Sequence, residues 1–531
     1  MNAPARLSAL TLTLILSACA VGPDFKQPAS VAPDRFARAS VASAQTVRSD
    51  DTETASPMSG SDGTATASQT LAGSGNATTS QTSTGNGTAT ASQTASDETF
   101  WRSFGDPQLS ALIDRALDAN NDLKLAVSRY DSSNAMLRNA RFDLYPTVTA
   151  SAQIGHQLTS KDQAFGAPRD QRDTPLSGTS INASWELDLF GRVRRNVEAQ
   201  RSETAASAAD IRAVRVAIAG DVAAAYIDLR GQQERLRIAR DNAVNQRKTL
   251  DLIEARLAAG RGTDLDVARA RAQFESTSSR ISVYEAGIAV DEHRLAVLTG
   301  QPPEALIAEL DAPVPLPQTP EGIDPGTPGD VLRRRPDVAA AEERLHAATA
   351  RVGVATADLF PRLSLSGMLG SLAFQYGPFA AGSATNQVLL GVDWSFLDVG
   401  RVRSRIAASR ADAAGLLAQY QQTVLLALED TENALIRYSR TRDEAAHLDR
   451  AASDSTQAAQ LAFVRFQAGA IDYYEVLDAQ RTALQAQDAA ADSRTRSAGT
   501  AVALYKALAG GWPSPAPAPA TPATPLALRD R

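Results

Sequence analysis

The sequence predicts a mainly α protein that carries a transmembrane β-barrel, built from a duplicated β-β-α-α unit supplying four strands per chain. Three observations carry that expectation. Distinctive phrases of the chain return after 209 to 215 residues. Each copy holds two stretches of about ten residues that alternate apolar and polar side chains. Each pair of stretches is followed by a proline-free run with a helical period, far longer than an average helix.

The chain of 531 residues opens with a secretion-signal pattern over 1–18: Arg6, an apolar run Leu7 to Leu16, then Ser17 and Ala18 before Cys19. About ten apolar residues are too few to span a bilayer of ~30 Å as a helix. The small residues before Cys19 resemble a lipobox, so lipidation is expected at Cys19. Multiple acyl chains there would be a firm anchor, at roughly 0.8 kcal/mol per buried methylene. Cys19 is the only cysteine, which excludes a disulfide framework. Ala20 fits export to the outer membrane, because Asp at that place favours inner-membrane retention in this lipoprotein class.

Residues 19–98 read as a lipid anchor followed by a disordered tether. From about Ser40 to Asp97 the composition is Ser, Thr, Ala and Gly, with the octapeptide Gly63-Thr-Ala-Thr-Ala-Ser-Gln-Thr70 repeated at Gly87 through Thr94. Such a stretch has too little apolar surface to offset its ordering entropy. The Ala/Pro tail 513–531 reads the same way.

The body divides into a first repeat (99–300), a Pro-rich linker (301–330) and a second repeat (331–512). Asp143-Leu-Tyr-Pro146 returns as Asp358-Leu-Phe-Pro361, an offset of 215. Trp185 with Gly191-Arg-Val-Arg194 returns as Trp394 with Gly400-Arg-Val-Arg403, an offset of 209. Arg256-x3-Gly260 returns as Arg465-x3-Gly469, again 209, and Leu298-Thr-Gly300 aligns with Leu508-Ala-Gly510 at 210. The change of offset assigns loops to Gln157–Gly178 and Ser371–Asn386.

In the first copy Val148, Ala150, Ala152 and Ile154 alternate with polar residues, as do Ile181, Ala183, Trp185, Leu187 and Leu189. The second copy offers Leu363, Leu365 and Leu369, then Val388, Leu390, Val392, Trp394 and Phe396. The pattern fits membrane strands, or an ordinary sheet with one buried face. Next comes a heptad seam: Ile218, Val222, Ala225, Leu229, Gln232, Leu236, Ala239, Ala243, Gln246, Leu250, Ile253 and Leu257. A helix from Arg192 to Leu257 would be roughly 100 Å long. Its counterpart runs from Arg401 to Phe466, and glycine turns at Gly260 and Gly469 return a second helix to Gly300 or Gly510.

Four strands cannot close a barrel, for which about eight is the practical minimum. Open edges in lipid would leave backbone groups unpaired. Several copies therefore share one barrel, and their helices extend it as a tube. That is a conduit.

Four groups of residues permit a family resemblance: Cys19-Ala-Val-Gly-Pro-Asp-Phe25, Phe100-Trp-Arg-Ser-Phe-Gly-Asp-Pro-Gln-Leu109, Leu332-Arg-Arg-Arg-Pro-Asp-Val338 with Ala341-Glu342, and Val464-Arg-Phe-x-Ala-Gly469 through Val476-Leu-Asp-Ala-Gln480. Together they resemble the TolC/OprM/NodT efflux lipoproteins of the outer membrane. The resemblance implies a homotrimer with a twelve-stranded β-barrel, a long periplasmic α-helical barrel and an equatorial domain. It also implies a periplasmic adaptor, an inner-membrane resistance-nodulation-division (RND) pump, and export of drugs or other small molecules. The long Ser/Thr tether and the loose linker Ile323-Asp-Pro-Gly-Thr-Pro328 depart from the family pattern.

By the same resemblance Glu475 and Asp478, one helical turn apart just past Gly469, are expected to form a periplasmic gate, with Tyr473 and Tyr474 as an aromatic wedge. The first copy offers Asp264 and Asp266, with Arg261 as a pairing cation. The plainer reading makes these acids helix caps. Arg192, Arg194, Arg401 and Arg403 start the long helices, where cations oppose the macrodipole. Phospholipid headgroups at the membrane interface are one partner, a salt-bridged helix face the other. Arg334, Arg335, Pro336 and Asp337 read as a structural helix start.

No catalytic constellation, phosphate loop or metal-ligand spacing stands out among His156, His293, His346 and His447, so neither enzyme activity nor a cofactor is expected. A net charge of −7 gives no reason for a nucleic-acid partner. Two alternatives stay open: the exit duct of a type I secretion system, and a trimeric coiled-coil surface adhesin.

Overall fold

The computed structural model describes residues 20–29, 32–37, 100–320, 323–373 and 381–509. The signal segment, Cys19, most of the tether and the tail lie outside the described residues.

A 3-10 turn (Phe100–Phe104) leads into α1 (Pro107–Ala119) and α2 (Asn121–Phe142), then β1 (Thr147–Leu158) and β2 (Asp173–Leu187). The long helix α3 (Arg192–Ala258) and its return α4 (Asp264–Leu298) complete the first half. The second half holds α5 (Pro328–Arg334), α6 (Pro336–Ala357), β3 (Arg362–Ala373), β4 (Ala384–Asp393), α7 (Val399–Gln467) and α8 (Tyr473–Ala507). At 67 and 69 residues, α3 and α7 are each about 100 Å long.

The duplicated unit is larger than β-β-α-α. Helix α2 and helix α6 both have 22 residues and begin at Asn121 and Pro336, an offset of 215. The repeat is thus α-β-β-α-α, and the Asp-Leu-aromatic-Pro phrase is the turn from its first helix into its first strand. Helices α4 and α8 both have 35 residues and begin at Asp264 and Tyr473, an offset of 209. The same offset governs their ends. Gly300 (φ 72°) donates to the Val297 carbonyl, and Ala509 (φ 49°) donates to that of Lys506. Ala509, not Gly510, is therefore the counterpart of Gly300, and the offset of 210 read from the sequence was one residue too large. The expected loops are also shorter, because β1 runs on to Leu158, β2 starts at Asp173, and β3 and β4 reach Ala373 and Ala384. Leu189, Trp394 and Phe396 lie just past the strand ends.

The strands form one antiparallel sheet in the order β1-β2-β3-β4. Its register sorts the side chains by face. Ala150, Ile181 and Leu369 stand in one cross-strand row, and Trp185, Leu365 and Leu390 in another. The opposite face carries Thr149, Asn182, Met368 and Gln387, then Ser151, Ser180, Gly370 and Thr385. Among the described residues nothing covers the apolar face: Ile154 is 85% exposed and Val388 81%, and every residue of β1 is exposed. An ordinary one-sided sheet would bury that face, so the structure removes that alternative.

The heptad seam of α3 is inside. Ile218, Val222, Leu229, Leu236, Ala239, Ala243, Gln246, Leu250 and Ile253 are buried, and Ala225, Gln232 and Leu257 half-buried. Toward the strands α3 packs on α2 and α6; elsewhere it packs on α4 and α8.

The main core is equatorial. Asp106 caps α1 by accepting from the Gln108 and Leu109 amides, with Pro107 at the first helical position. The helix then turns Leu109, Leu112, Ile113 and Ala116 onto α3 at helical spacing. Phe36 lies in the same buried cluster as Phe100. The N-terminal segment is therefore docked before the Ser/Thr-rich stretch begins. The tether expected over 19–98 lies, beyond residue 37, outside the described residues.

Candidate functional site

The strand–helix junction is built first by glycine. Gly191 has φ 81° and cannot cap α3 with a side chain, so Asp188 does so from the loop, accepting from the Val193 and Arg194 amides at 3.0 and 2.9 Å. Arg194 Nε donates to the same carboxylate at 3.2 Å. Arg192 forms a two-bonded pair with Glu186 of β2. The acids thus neutralise cations that the helix dipole would disfavour. In the second copy Arg401 pairs with Asp398 at 3.1 Å, whereas Arg403 is exposed. Three of the four arginines assigned to the membrane interface therefore have an acid in their own chain. Glu186 and Asp188 were legible upstream, on the polar side of the β2 alternation.

An extended segment lies against this junction. Val21 donates to the Phe190 carbonyl at 3.1 Å, and Ala20 is close enough that a Cβ on Gly191 would meet its Cα at 2.8 Å. Gly22 abuts Gly353 of α6 so tightly that a Cβ there would come within 2.5 Å of the Gly353 Cα. Asp24 accepts from buried Arg195, which also binds Glu198, and Phe25 stacks on His346 at 4.4 Å. The Arg195 guanidinium pulls the Asp24 carboxyl below its usual range. Motif matching singled out Cys19 to Phe25 but missed Gly353, Arg195 and His346, because their spacing in the chain says nothing of the contact.

At the far end, both long helices stop alike. Gly260 and Gly469 adopt left-handed φ of 69° and 74°, and the Arg261 and Ala470 amides donate back to the Arg256 and Arg465 carbonyls. Arg256 bridges the two hairpins. Its guanidinium lies 4.0 Å from the centre of the Phe466 ring and donates to the Phe466 carbonyl at 3.3 Å. Phe466 in turn packs on Tyr473, at 5.9 Å between ring centres, in a cluster with Leu250, Ile253, Val267, Val476 and Leu477.

The expected gate residues separate at this tip. Glu475 and Asp478 are exposed on α8. Tyr474 is 60% exposed, with Arg269 over its ring at 5.5 Å. Tyr473 is not a wedge: it is 5% exposed inside the tip core, where burial and then the charge of Asp266 push its hydroxyl up to about 12. Asp266 is a cap, its carboxylate accepting from Thr263 Oγ1 at 2.7 Å while its amide donates back to that hydroxyl at 3.2 Å. Asp264 is exposed beside it, and among the described residues no ion pair joins Arg261 to either acid. The Arg256–Phe466 bridge went unread, because α3 and α7 are joined only by the fold.

Two further arginines hold the equator. Arg230, 1% exposed, donates to Gln108 and Gln233 and to the linker carbonyl of Ala312 at 2.9 Å. Arg335, from the Leu-Arg-Arg-Arg-Pro-Asp-Val phrase, pairs with Asp337 and donates to the Ala507 carbonyl at the end of α8.

No described helix is long and apolar enough to cross a membrane, and no described cluster of His, Cys, Asp or Glu could hold a metal ion. The family model for outer membrane efflux proteins matches residues 112–301 and 327–510. The outer membrane protein OprJ of Pseudomonas aeruginosa is 32% identical over 427 residues, covering 79% of this chain and 87% of that protein. The pyoverdine export outer membrane protein OpmQ of Pseudomonas putida is 32% identical, covering 79% and 90%. The solved structure of the outer-membrane channel OprN superposes with a TM-score of 0.77 at 34% identity, over 93% of this chain and all of that one.

Proposed function

The chain belongs to the outer membrane efflux protein family, and on that premise we propose that three copies pool their sheets into one twelve-stranded barrel. The protein is an outer-membrane channel subunit of an efflux system. The observation that carries the three-copy reading is the bare sheet. It has an exposed apolar face, an opposite face made mostly of Thr, Ser, Asn and Gln, and two edge strands, β1 and β4, with one neighbour each among the described strands. In lipid the apolar face would meet acyl chains. The unpaired backbone groups of β4 would be satisfied by β1 of the next copy.

The long helices continue this ring into the periplasm as a tube. By three-fold symmetry Glu475 and Asp478 of each copy would meet at its tip, where repelling carboxylates favour cations and restrict the aperture. Acyl chains on Cys19 would enter the leaflet beside the junction, a reading supported by Ala20 lying on Gly191. A periplasmic adaptor and a proton-driven inner-membrane RND pump complete the assembly, which exports drugs or other small molecules. The export role of relatives such as OpmQ favours efflux over a type I secretion duct. The strands sit inside a duplicated chain, which disfavours a surface adhesin.

Chemical crosslinking of intact cell envelopes, followed by recovery of the full-length chain, tests the partners. An adaptor and a proton-driven pump are expected in the crosslinked material. An ATP-driven inner-membrane exporter there would assign the channel to type I secretion instead.

A further inference from the structure

Duplication has left the two helical hairpins with grooves of opposite charge. Between α7 and α8 lies a cavity of about 580 Å³, lined by Asp430, Asn433, Arg437, Arg496 and Lys506 together with Arg335. An offset of 209 carries α3 onto α7 and α4 onto α8. At the matching places the first hairpin has Asp221, Ala224, Asp228, Gly287 and Val297. Thr500, also in the cavity wall, corresponds to Asp291, and Ala503 to Arg294. The second hairpin thus offers four cations and one acid where the first offers three acids and one arginine.

Three of the four cations already have acids. Arg335 holds Asp337 at 2.7 Å, Arg496 holds Glu444 at 2.8 Å, and Lys506 holds Asp221 at 3.1 Å. Arg437 is exposed, and among the described residues it has no ion pair. Asn433, one turn earlier on α7, is exposed beside it, and among the described residues its amide has no hydrogen bond.

The groove faces away from the equatorial core. On α7, Leu435 lies in the core shared with α1 and the Phe100–Phe104 turn, and Arg437, two residues on, is on the opposite side of the helix. On α8, Tyr505 stacks on Phe100 at 4.7 Å, and Arg496, nine residues back, is again opposite. Three sets of α1 and linker would fill a bore, so in a tube of three copies they lie outside and the groove opens inward.

We infer that Arg437 and Asn433 form an anion station in the tunnel wall, one per copy, which takes the carboxylate of a small organic anion in transit. The station rests on the three-copy reading and deepens it by naming a chemical class of solute. The guanidinium supplies a planar fork that matches a carboxylate, and the amide adds a neutral donor. The neighbouring acids, Asp430 and Glu444 among them, oppose the anion and keep its hold weak. A conducting path needs that balance, favourable enough to enter and weak enough to leave. In the first hairpin Asp228 takes the place of Arg437, with its carboxyl pushed up by burial and Asp291 near it. That groove repels the same solute.

The test uses the full-length protein in detergent, dialysed to equilibrium against labelled citrate at low salt. One citrate per chain is expected at saturation, lost in molar salt, with no retention of uncharged sucrose. Arg437→Gln is expected to weaken citrate binding about tenfold, and Arg437→Lys to keep most of it. The position is exposed, so neither variant should melt earlier than the wild type. In planar bilayers, citrate on the barrel side is expected to reduce the wild-type current and to leave that of Arg437→Gln unchanged. Trimers that bind no citrate, or bind it equally with and without Arg437, would overturn the station and leave the assembly standing. Monomers in native mass spectrometry would overturn the assembly and the station with it.

Discussion

The indole of Trp185 donates to the Leu144 carbonyl at 3.0 Å, and in the second copy Trp394 donates to Leu359 at 3.1 Å. Each bond ties the end of a hairpin to the turn that launches it, where the chain passes between strands and helices. Tryptophan suits that place, with an apolar ring and one donor at a membrane boundary. Trp185→Phe and Trp394→Phe should each cost about 1 kcal/mol through the orphaned carbonyl. Thermal unfolding in detergent measures it, and an unchanged midpoint for both variants would contradict the role.

Burial decides between the two tip tyrosines. Tyr473→Ala empties part of the Phe466 cluster and should destabilise by about 3 kcal/mol, whereas Tyr474→Ala should stay within about 1 kcal/mol. Denaturant midpoints of the two variants read the difference, and equal midpoints would contradict it.

Glu475→Ala together with Asp478→Ala should raise single-channel conductance in planar bilayers, because the proposed ring of repelling carboxylates disappears. Unchanged conductance would remove both from the gate.

Arg230→Leu deletes a buried cation whose hydrogen-bond acceptors are all neutral and strands the Ala312 carbonyl together with Gln108 and Gln233. A loss of about 2–4 kcal/mol is expected. Hydrogen exchange should rise in residues 306–312; unchanged protection there would mean that the linker is held by other contacts.

Burial, with Asp228 and Glu292 nearby, pushes Asp291 from 3.8 up to about 7. The native state keeps this proton until about pH 7, and the unfolded chain releases it near pH 4. Stability therefore falls as pH rises through that window and stays lowered above it. Asp291→Asn should gain about 1–2 kcal/mol at pH 8, solvent screening allowed for, and nothing at pH 4. Paired melting curves at the two pH values check the sign.

Most of the architecture was legible because duplication repeats each signal. One Trp, one Gly turn or one alternating strand is weak; two of each at a shared offset are not. The heptad from Ile218 to Leu257 gave α3 its length and buried face. What stayed hidden needed contacts across the fold. Arg256 finds Phe466 across 210 residues, and Arg195 finds Asp24 across 171. The change of offset located the length differences without fixing where the strands end, so the loops read too long. Replacing residues 40–97 by a short Gly-Ser linker should leave melting and conductance unchanged, since Phe36 and Phe100 already share one core.

The central claim is that a sheet with two open edges becomes a pore only in company. Native mass spectrometry of the detergent-solubilised full-length protein, with bilayer recordings on the same fraction, tests it most directly. A species of three subunits with discrete conductance steps is the predicted result. A single-subunit species that leaves the bilayer silent would contradict the account.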